Sequence, residues 1–319
     1  MKNNNYIGYM LVLIGGSLWG VGGTVAQRLF QKGSVSVEWL VSVRLLLSGV
    51  IMVALALTLK NRNKVWGIWK DKKAVVQLLF FSILGILTVQ YTYMASISHG
   101  NAAIATLLQY LAPVFIMLYL LITGKTKLQI RYVVAIVLAL TGTFLLLSNG
   151  SLSTLSVPYS SVVWGILSGV AMAFYTLYAG PLLNKWGSLN IIGWAMVIGG
   201  VVLGVFNPPW QANVTDFSFD TLVFLIFVIF FGTMFAFWFY LESLKYLNAQ
   251  ETSLLGSIEP LSAILTSVLW LKIPFGIYQW LGGFMILLMV FYISMKKEAG
   301  SDKFNYSQKA KGASYSNFQ

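Results

Sequence analysis

Glu259, Arg44 and Glu242 are ionisable side chains set in stretches otherwise apolar enough to lie in hydrocarbon. Placing such a group in a bilayer costs roughly 2.5 to 3.5 kcal/mol on insertion scales, so it normally faces a protein interior or a wet cavity and does chemistry there. Glu259 falls ten residues into its apolar segment, about 15 Å deep at the helical rise, close to the bilayer midplane. Pro260 follows it; proline lacks an amide hydrogen, so it frees a backbone carbonyl one turn earlier, around Gly256. A carboxylate beside an unpaired carbonyl suits a cationic group or a proton. Alternatively, the carboxyl group ties helices together through Ser, Thr or Tyr. Arg44, about seven residues into its segment, has the charge to hold an anionic group or to pair with Glu259; it equally suits a helix-end tie near Glu38. Glu242 stands three residues before Lys245, the spacing of a surface helical ion pair.

Uncharged polar and aromatic residues form a second tier: Trp19, Gln90, Tyr93, Gln109, Tyr110, Tyr175, Trp238 and Tyr240. Small-molecule pockets are mostly apolar and aromatic with a few convergent polar groups, and aromatic faces hold cations or rings. This composition suits an amino acid, an amine or a related metabolite. The competing role is structural, because Trp and Tyr also fill helix contacts and interfacial belts. Trp66, Trp69, Trp186, Trp210 and Trp280 lie near segment ends and read as belt residues. The lone His99 has no neighbouring acid or nucleophile in sequence, and with no cysteine there is neither a thiol nucleophile nor a thiolate metal site. No phosphate-binding Gly-x-x-x-x-Gly-Lys-Ser/Thr and no clustered acid–base set appears, which argues against a nucleotide-driven pump or a membrane enzyme. No cofactor or metal is expected.

The elements that must position these residues follow from composition. Of 319 residues 58% are hydrophobic and 9% charged, with a mean hydropathy of +0.77, far from the roughly 25% charge of a soluble domain. Runs of about 20 apolar residues predict ten transmembrane helices, near 6–28, 37–59, 74–97, 102–123, 130–148, 160–183, 189–206, 221–244, 249–271 and 277–295. The first is read as a retained helix, not a cleaved signal. With the amino terminus inside, seventeen Lys and Arg fall in inner loops and tails and three outside, Arg28, Lys32 and Lys272. The positive-inside bias therefore puts both termini in the cytoplasm of a multi-pass cell-membrane protein. It also assigns the net charge of +12 to topology, not to nucleic acid, and leaves membrane lipids as the expected surroundings. Residues 296–319 are polar and predict a disordered tail.

An offset of 147 residues aligns 91–113 with 238–260, and seven of these 23 positions coincide: Tyr93 with Tyr240, Ser96 with Ser243, Asn101 with Asn248, Ala102 with Ala249, Leu107 with Leu254, Leu108 with Leu255 and Pro113 with Pro260. These windows straddle the third-to-fourth and eighth-to-ninth spans. A duplicated unit of five helices is odd, so the second copy must begin on the opposite side of the membrane. The expected fold is all-α, with ten helices in two inverted five-helix repeats, 1–150 and 151–295, around a central cavity. Inverted repeats recur in secondary transporters because the halves supply one motion facing in and facing out.

The chain also resembles the EamA branch of the drug/metabolite transporter superfamily. The matching features are Leu18-Trp19-Gly20, Arg44, Asn101-Ala102 with Pro113, the Gly142 region, and Ile258-Glu259-Pro260. The resemblance spans about residues 6–295 and implies movement, often export, of small organic metabolites. Acidic residues often found in the family after the fourth and ninth spans are replaced here by Gly124-Lys125 and Leu271-Lys272. Glu259 is the expected coupling-ion residue. A receptor or scaffold that binds without transport, and a lipid-modifying enzyme, are the alternatives.

Overall fold

A computed structural model describes residues 5–33, 35–58, 62–151, 153–211, 217–247 and 249–294. The expected disordered tail at 296–319 lies outside the described residues, as does Asn248 of the repeat. The described chain is helical, and nine of its helices are long and apolar enough to cross a membrane. They are the first span Asn5–Gln31, second Val37–Thr58, third Lys72–His99, fourth Ala102–Ile122, fifth Ile130–Ser148, sixth Tyr159–Trp186, seventh Ser188–Phe206, eighth Phe219–Ser243 and tenth Ile277–Ser294. The stretch expected as one ninth span is instead two short helices, Ala249–Gly256 and Ile258–Leu269. The physical cause is Pro260, which cannot donate the bond that would join them. The fourth span yields at the equivalent place, into Ala102–Gln109 and Ala112–Ile122, just before Pro113. The offset of 147 carries Gln109 onto Gly256, the last residue before each break.

A second irregularity also repeats. The third and eighth spans widen into π-helical turns at Phe81–Leu87 and Phe227–Phe235, a geometry that leaves main-chain groups displaced from the ordinary ladder. The packing has the same two-part character. The second span packs on the seventh and the fifth on the tenth; the first packs on the eighth as the sixth packs on the third, and on the ninth as the sixth packs on the fourth. Exchanging the two halves leaves these neighbours unchanged. Even the ion pairs at the helix ends match: Lys32 Nζ to Asp220 at 3.1 Å joins the first span to the eighth, and Lys185 Nζ to Asp71 at 2.7 Å joins the sixth to the third.

Small residues set how closely these helices approach, as expected where lipid supplies no hydrophobic drive between apolar helices. Gly22 meets the Cα of Gly232, so the first and eighth spans touch backbone to backbone. Gly16 lies against Ile258, and Gly20 lies directly against the Glu259 carbonyl, with Ala263 N and Ser262 Cβ beside it. The outward surface of the bundle is apolar, including Ile122, Leu140, Val205 and Phe284. In water such a surface would drive association; against lipid tails it carries no cost.

Candidate functional site

The break in the ninth segment sets the site. With Pro260 in the first turn of Ile258–Leu269, the Gly256 carbonyl has no helical donor. Tyr110, at the matching break of the fourth span, supplies one: its hydroxyl lies 2.9 Å from Gly256 O and 3.1 Å from Glu259 Oε2. A phenol has one proton, so it donates to one of these oxygens at a time. The carbonyl that the proline was expected to release is thus found in the site, shared with the carboxylate.

Around this pair the structure gathers side chains from six spans. Tyr93, Tyr110 and Tyr240 all lie within electrostatic reach of the Glu259 carboxylate, and Tyr175 lies within reach of Tyr240. The Tyr240 ring rests against Gly256. Trp19 packs on Tyr240 at 5.2 Å between ring centroids and edge-on to Phe237 at 4.8 Å. Tyr175 stacks on Phe81 at 5.3 Å. Glu259, Tyr110, Tyr240, Trp19 and Tyr175 are half-buried. Glu259 is thus faced by side chains of the third, fourth and eighth spans. The arrangement is a carboxylate walled by aromatic rings, able to bind a cation through charge and π-faces together.

Tyr93 is more deeply buried, and its hydroxyl is held 2.8 Å from Thr106 Oγ1. Thr106 precedes Tyr110 by one turn, so a single face of the fourth span fixes both tyrosines. In the second half the position equivalent to Ala112 is Glu259, so only one repeat contributes a carboxylate.

The other expected residues have the following partners. Arg44, 3% exposed, donates through Nη2 to Gln90 Oε1. It forms an ion pair with neither Glu259 nor Glu38 among the described residues; Glu38 accepts instead from the Tyr91 hydroxyl at 2.9 Å. Its burial is deeper than that of an arginine reaching for a membrane surface. Gln109 Nε2 donates to Ser168 Oγ at 2.7 Å and ties the fourth span to the sixth. Trp238 joins a ladder with Phe235 and Phe239 along the eighth span, its ring 6.1 and 6.0 Å from theirs, apart from the Trp19–Tyr240 pair. Glu242 and Lys245 form the ion pair expected from their spacing, at 2.6 Å. His99 Nδ1 lies 2.8 Å from Ala95 O in its own helix.

Sequence reading missed Phe237 and Thr106. Phe237 precedes Tyr240 by three residues and therefore shares its helical face, and Thr106 stands four before Tyr110; both signals were present in the spacing. Also unforeseen was the reciprocal pair where the third span ends and the sixth begins, in which Ser96 Oγ donates to Ser161 O at 2.8 Å and Ser161 Oγ to Ser96 O at 2.9 Å. Isolated serines in apolar helices carry no pairing signal. No group of three or more His, Cys, Asp or Glu fit to hold a metal occurs among the described residues.

Comparison with known proteins adds the following. The model of the EamA-like transporter family matches residues 6–148 and 159–295. A relative from Salmonella typhimurium described as the uncharacterized inner membrane transporter YicL is 36% identical over 290 residues, covering 90% of this chain and 95% of that protein. An uncharacterized transporter of Archaeoglobus fulgidus is 24% identical over 229 residues, covering 66% of this chain and 73% of its own length. A protein solved by crystallography shares the fold, with a TM-score of 0.61 at 13% identity over 92% of this chain and 96% of that one.

Proposed function

Because the chain belongs to the EamA-like transporter family, we propose that it is a secondary transporter that moves a small organic metabolite, an amino acid, an amine or a related compound, outward by alternating access. On this reading it is a multi-pass protein of the cell membrane with both termini in the cytoplasm, an orientation supported by the distribution of Lys and Arg. The two short helices of the ninth segment act together as one crossing. That makes ten crossings in two halves, about residues 1–150 and 151–295, inverted about an axis in the membrane plane. The exchange of neighbours between the halves and their matched breaks support this arrangement.

The observation that carries the reading is Tyr110 poised between the Gly256 carbonyl and the Glu259 carboxylate, inside a ring of Trp19, Tyr93, Tyr175 and Tyr240. A substrate ammonium group takes the carboxylate, its apolar part lies on the aromatic rings, and the Tyr110 proton turns to Gly256. When the substrate leaves, the hydroxyl returns to the carboxylate, or a proton takes the vacated charge. Glu259 is thus both the substrate contact and the candidate coupling residue. Arg44, bonded to Gln90, lies within electrostatic reach of Tyr93, and Gln109 ties the fourth span to the sixth.

The test is metabolite profiling inside and outside cells that express the unmodified chain or Glu259→Gln at matched levels and matched thermal stability. A charge-assisted contact is worth about 1.5–3 kcal/mol, so the variant should move the responsive metabolite about tenfold to a hundredfold more slowly. Equal movement by the variant would refute the role of Glu259. No redistribution by the unmodified chain across amino acids, amines and related compounds would refute metabolite transport.

A further inference from the structure

Between the second and third spans the chain makes a short helix, Arg62–Gly67, and one further turn, Ile68–Lys70, before Asp71 starts the third span. This connector is clamped by the seventh span: Trp194 Nε1 donates to Val65 O at 3.1 Å and Asn190 Nδ2 to Lys64 O at 2.9 Å. Val65 and Ile68 are fully buried beneath it. Trp66 and Trp69 pack on the Trp194 ring yet remain 53% and 40% exposed. The connector between the seventh and eighth spans repeats the device. Trp39 of the second span donates Nε1 to Pro209 O at 2.8 Å, and Trp210 of the turn Pro209–Gln211 is exposed.

The two devices differ in charge. The first carries Lys64, Lys70, Lys72 and Lys73, all exposed, whereas residues 207–218 contain no Lys or Arg. The same backbone clamp therefore forms with and without the lysines, and folding does not call for them. No ion pair engages these four ammonium groups among the described residues. Asp71, the single acid of the connector, is already committed: it caps the third span through Lys73 N and Ala74 N and binds Lys185 Nζ at 2.7 Å. What faces outward is a strip dominated by four lysines, with two indoles beside them. Indoles seat at the headgroup level of a bilayer, and clustered lysines beside a span attract anionic lipid headgroups.

We propose that Lys64, Lys70, Lys72 and Lys73, with Trp66 and Trp69, form a docking site for the headgroups of anionic phospholipids. The proposal rests on the chain being membrane-embedded and not on what it transports. Clamping by Trp194 and Asn190 holds the lysines in place before lipid arrives, so binding orders little besides the side chains.

The test uses the full-length chain purified in detergent micelles, where insertion topology plays no part, titrated with phosphatidylglycerol or phosphatidylcholine and followed by tryptophan fluorescence and thermal unfolding. Phosphatidylglycerol should bind and raise the melting temperature, with an effect that fades as salt is added, and phosphatidylcholine should not. Each Lys→Gln change at the four positions should weaken phosphatidylglycerol binding by about fivefold, corresponding to about 1 kcal/mol per basic residue. The fourfold Lys→Arg variant should retain it, which separates loss of charge from loss of fold. Glutamine changes at Lys303, Lys309 and Lys311 of the tail should leave the melting shift intact. Binding that is equal for both lipids, or unchanged in the fourfold Lys→Gln variant, would overturn the proposal.

Discussion

Replacing Gly20 with alanine tests the central geometric premise, that the first span reaches the ninth only because residue 20 has no side chain. A Cβ placed there would stand 2.8 Å from Ala263 N and 2.8 Å from Ser262 Cβ, and closer still to the Glu259 carbonyl. Favourable carbon contacts begin near 3.5 Å, so roughly 0.7 Å of separation relieves the two 2.8 Å contacts and the helices must move further still to clear the Glu259 carbonyl. Two of the three obstacles are backbone and cannot rotate away. Overpacking of this kind costs about 1–3 kcal/mol. Alanine's better helix propensity returns up to about 1 kcal/mol, which leaves a net loss of up to about 2 kcal/mol. Gly180 provides the control: it lies within the sixth span, and a methyl group added to it would meet no heavy atom within 4 Å, so Gly180→Ala should be neutral or slightly stabilising. Thermal unfolding of the purified variants in detergent measures both. Because the displaced backbone carries Glu259, Gly20→Ala should also slow transport beyond any loss of folded protein. A Gly20→Ala variant as stable and as active as Gly180→Ala would refute the close approach and with it the stated position of Glu259.

Two further outcomes follow from the hydrogen bonds. Tyr110→Phe removes the hydroxyl that reaches both Gly256 O and Glu259 Oε2; it should cost about 1 kcal/mol in thermal stability and slow transport, and a variant with wild-type melting and flux would refute the shared-proton arrangement. The bond from Lys185, followed by the backbone amide of Ala74, holds the Asp71 carboxyl below its ordinary range, so its stabilising effect is present above the unfolded-state value of about 3.8 and is lost as pH falls through the lower folded-state value. Asp71→Asn should therefore lower the melting temperature at pH 7 and converge on the unmodified chain in strong acid; a constant difference across that range would refute the assignment.

Much of the candidate site was legible as residue types but not as contacts. Glu259 and Pro260 stood out because a carboxylate and a helix breaker in an apolar run each carry a cost, and a costly residue is a signal wherever it sits. The tyrosines of the repeat were found through the offset that relates Tyr93 to Tyr240. Gln109 and Gln90 were grouped with them because polarity within an apolar span looks the same whether it faces a ligand or a neighbouring helix. The structure adds only their partners, Ser168 for Gln109 and Arg44 for Gln90. For Arg44 the sequence left open an anionic substrate group, Glu259 or a helix-end tie near Glu38, and the fold pairs it with Gln90 while Glu38 accepts from Tyr91.

Composition alone determined that this chain lives in lipid, because 9% charged residues cannot cover a water-facing surface. Its periodic interruption determined the approximate limits of nine of the ten expected spans, and proline chemistry marked where the remaining one would yield. These are local properties, fixed by the solvent and by the hydrogen-bonding capacity of each residue. Tertiary structure decided what lies opposite what: that the fourth and ninth segments break at matching places, that Tyr110 crosses to the other half to reach Gly256 and Glu259, and that Gly20 lets the first span close on that pair. Such contacts join residues up to about 240 positions apart, as between Gly20 and Glu259, and apolar helices pack by shape in a lipid solvent that is itself apolar. Shape complementarity over that separation has no one-dimensional signature, so it had to be seen in the folded bundle.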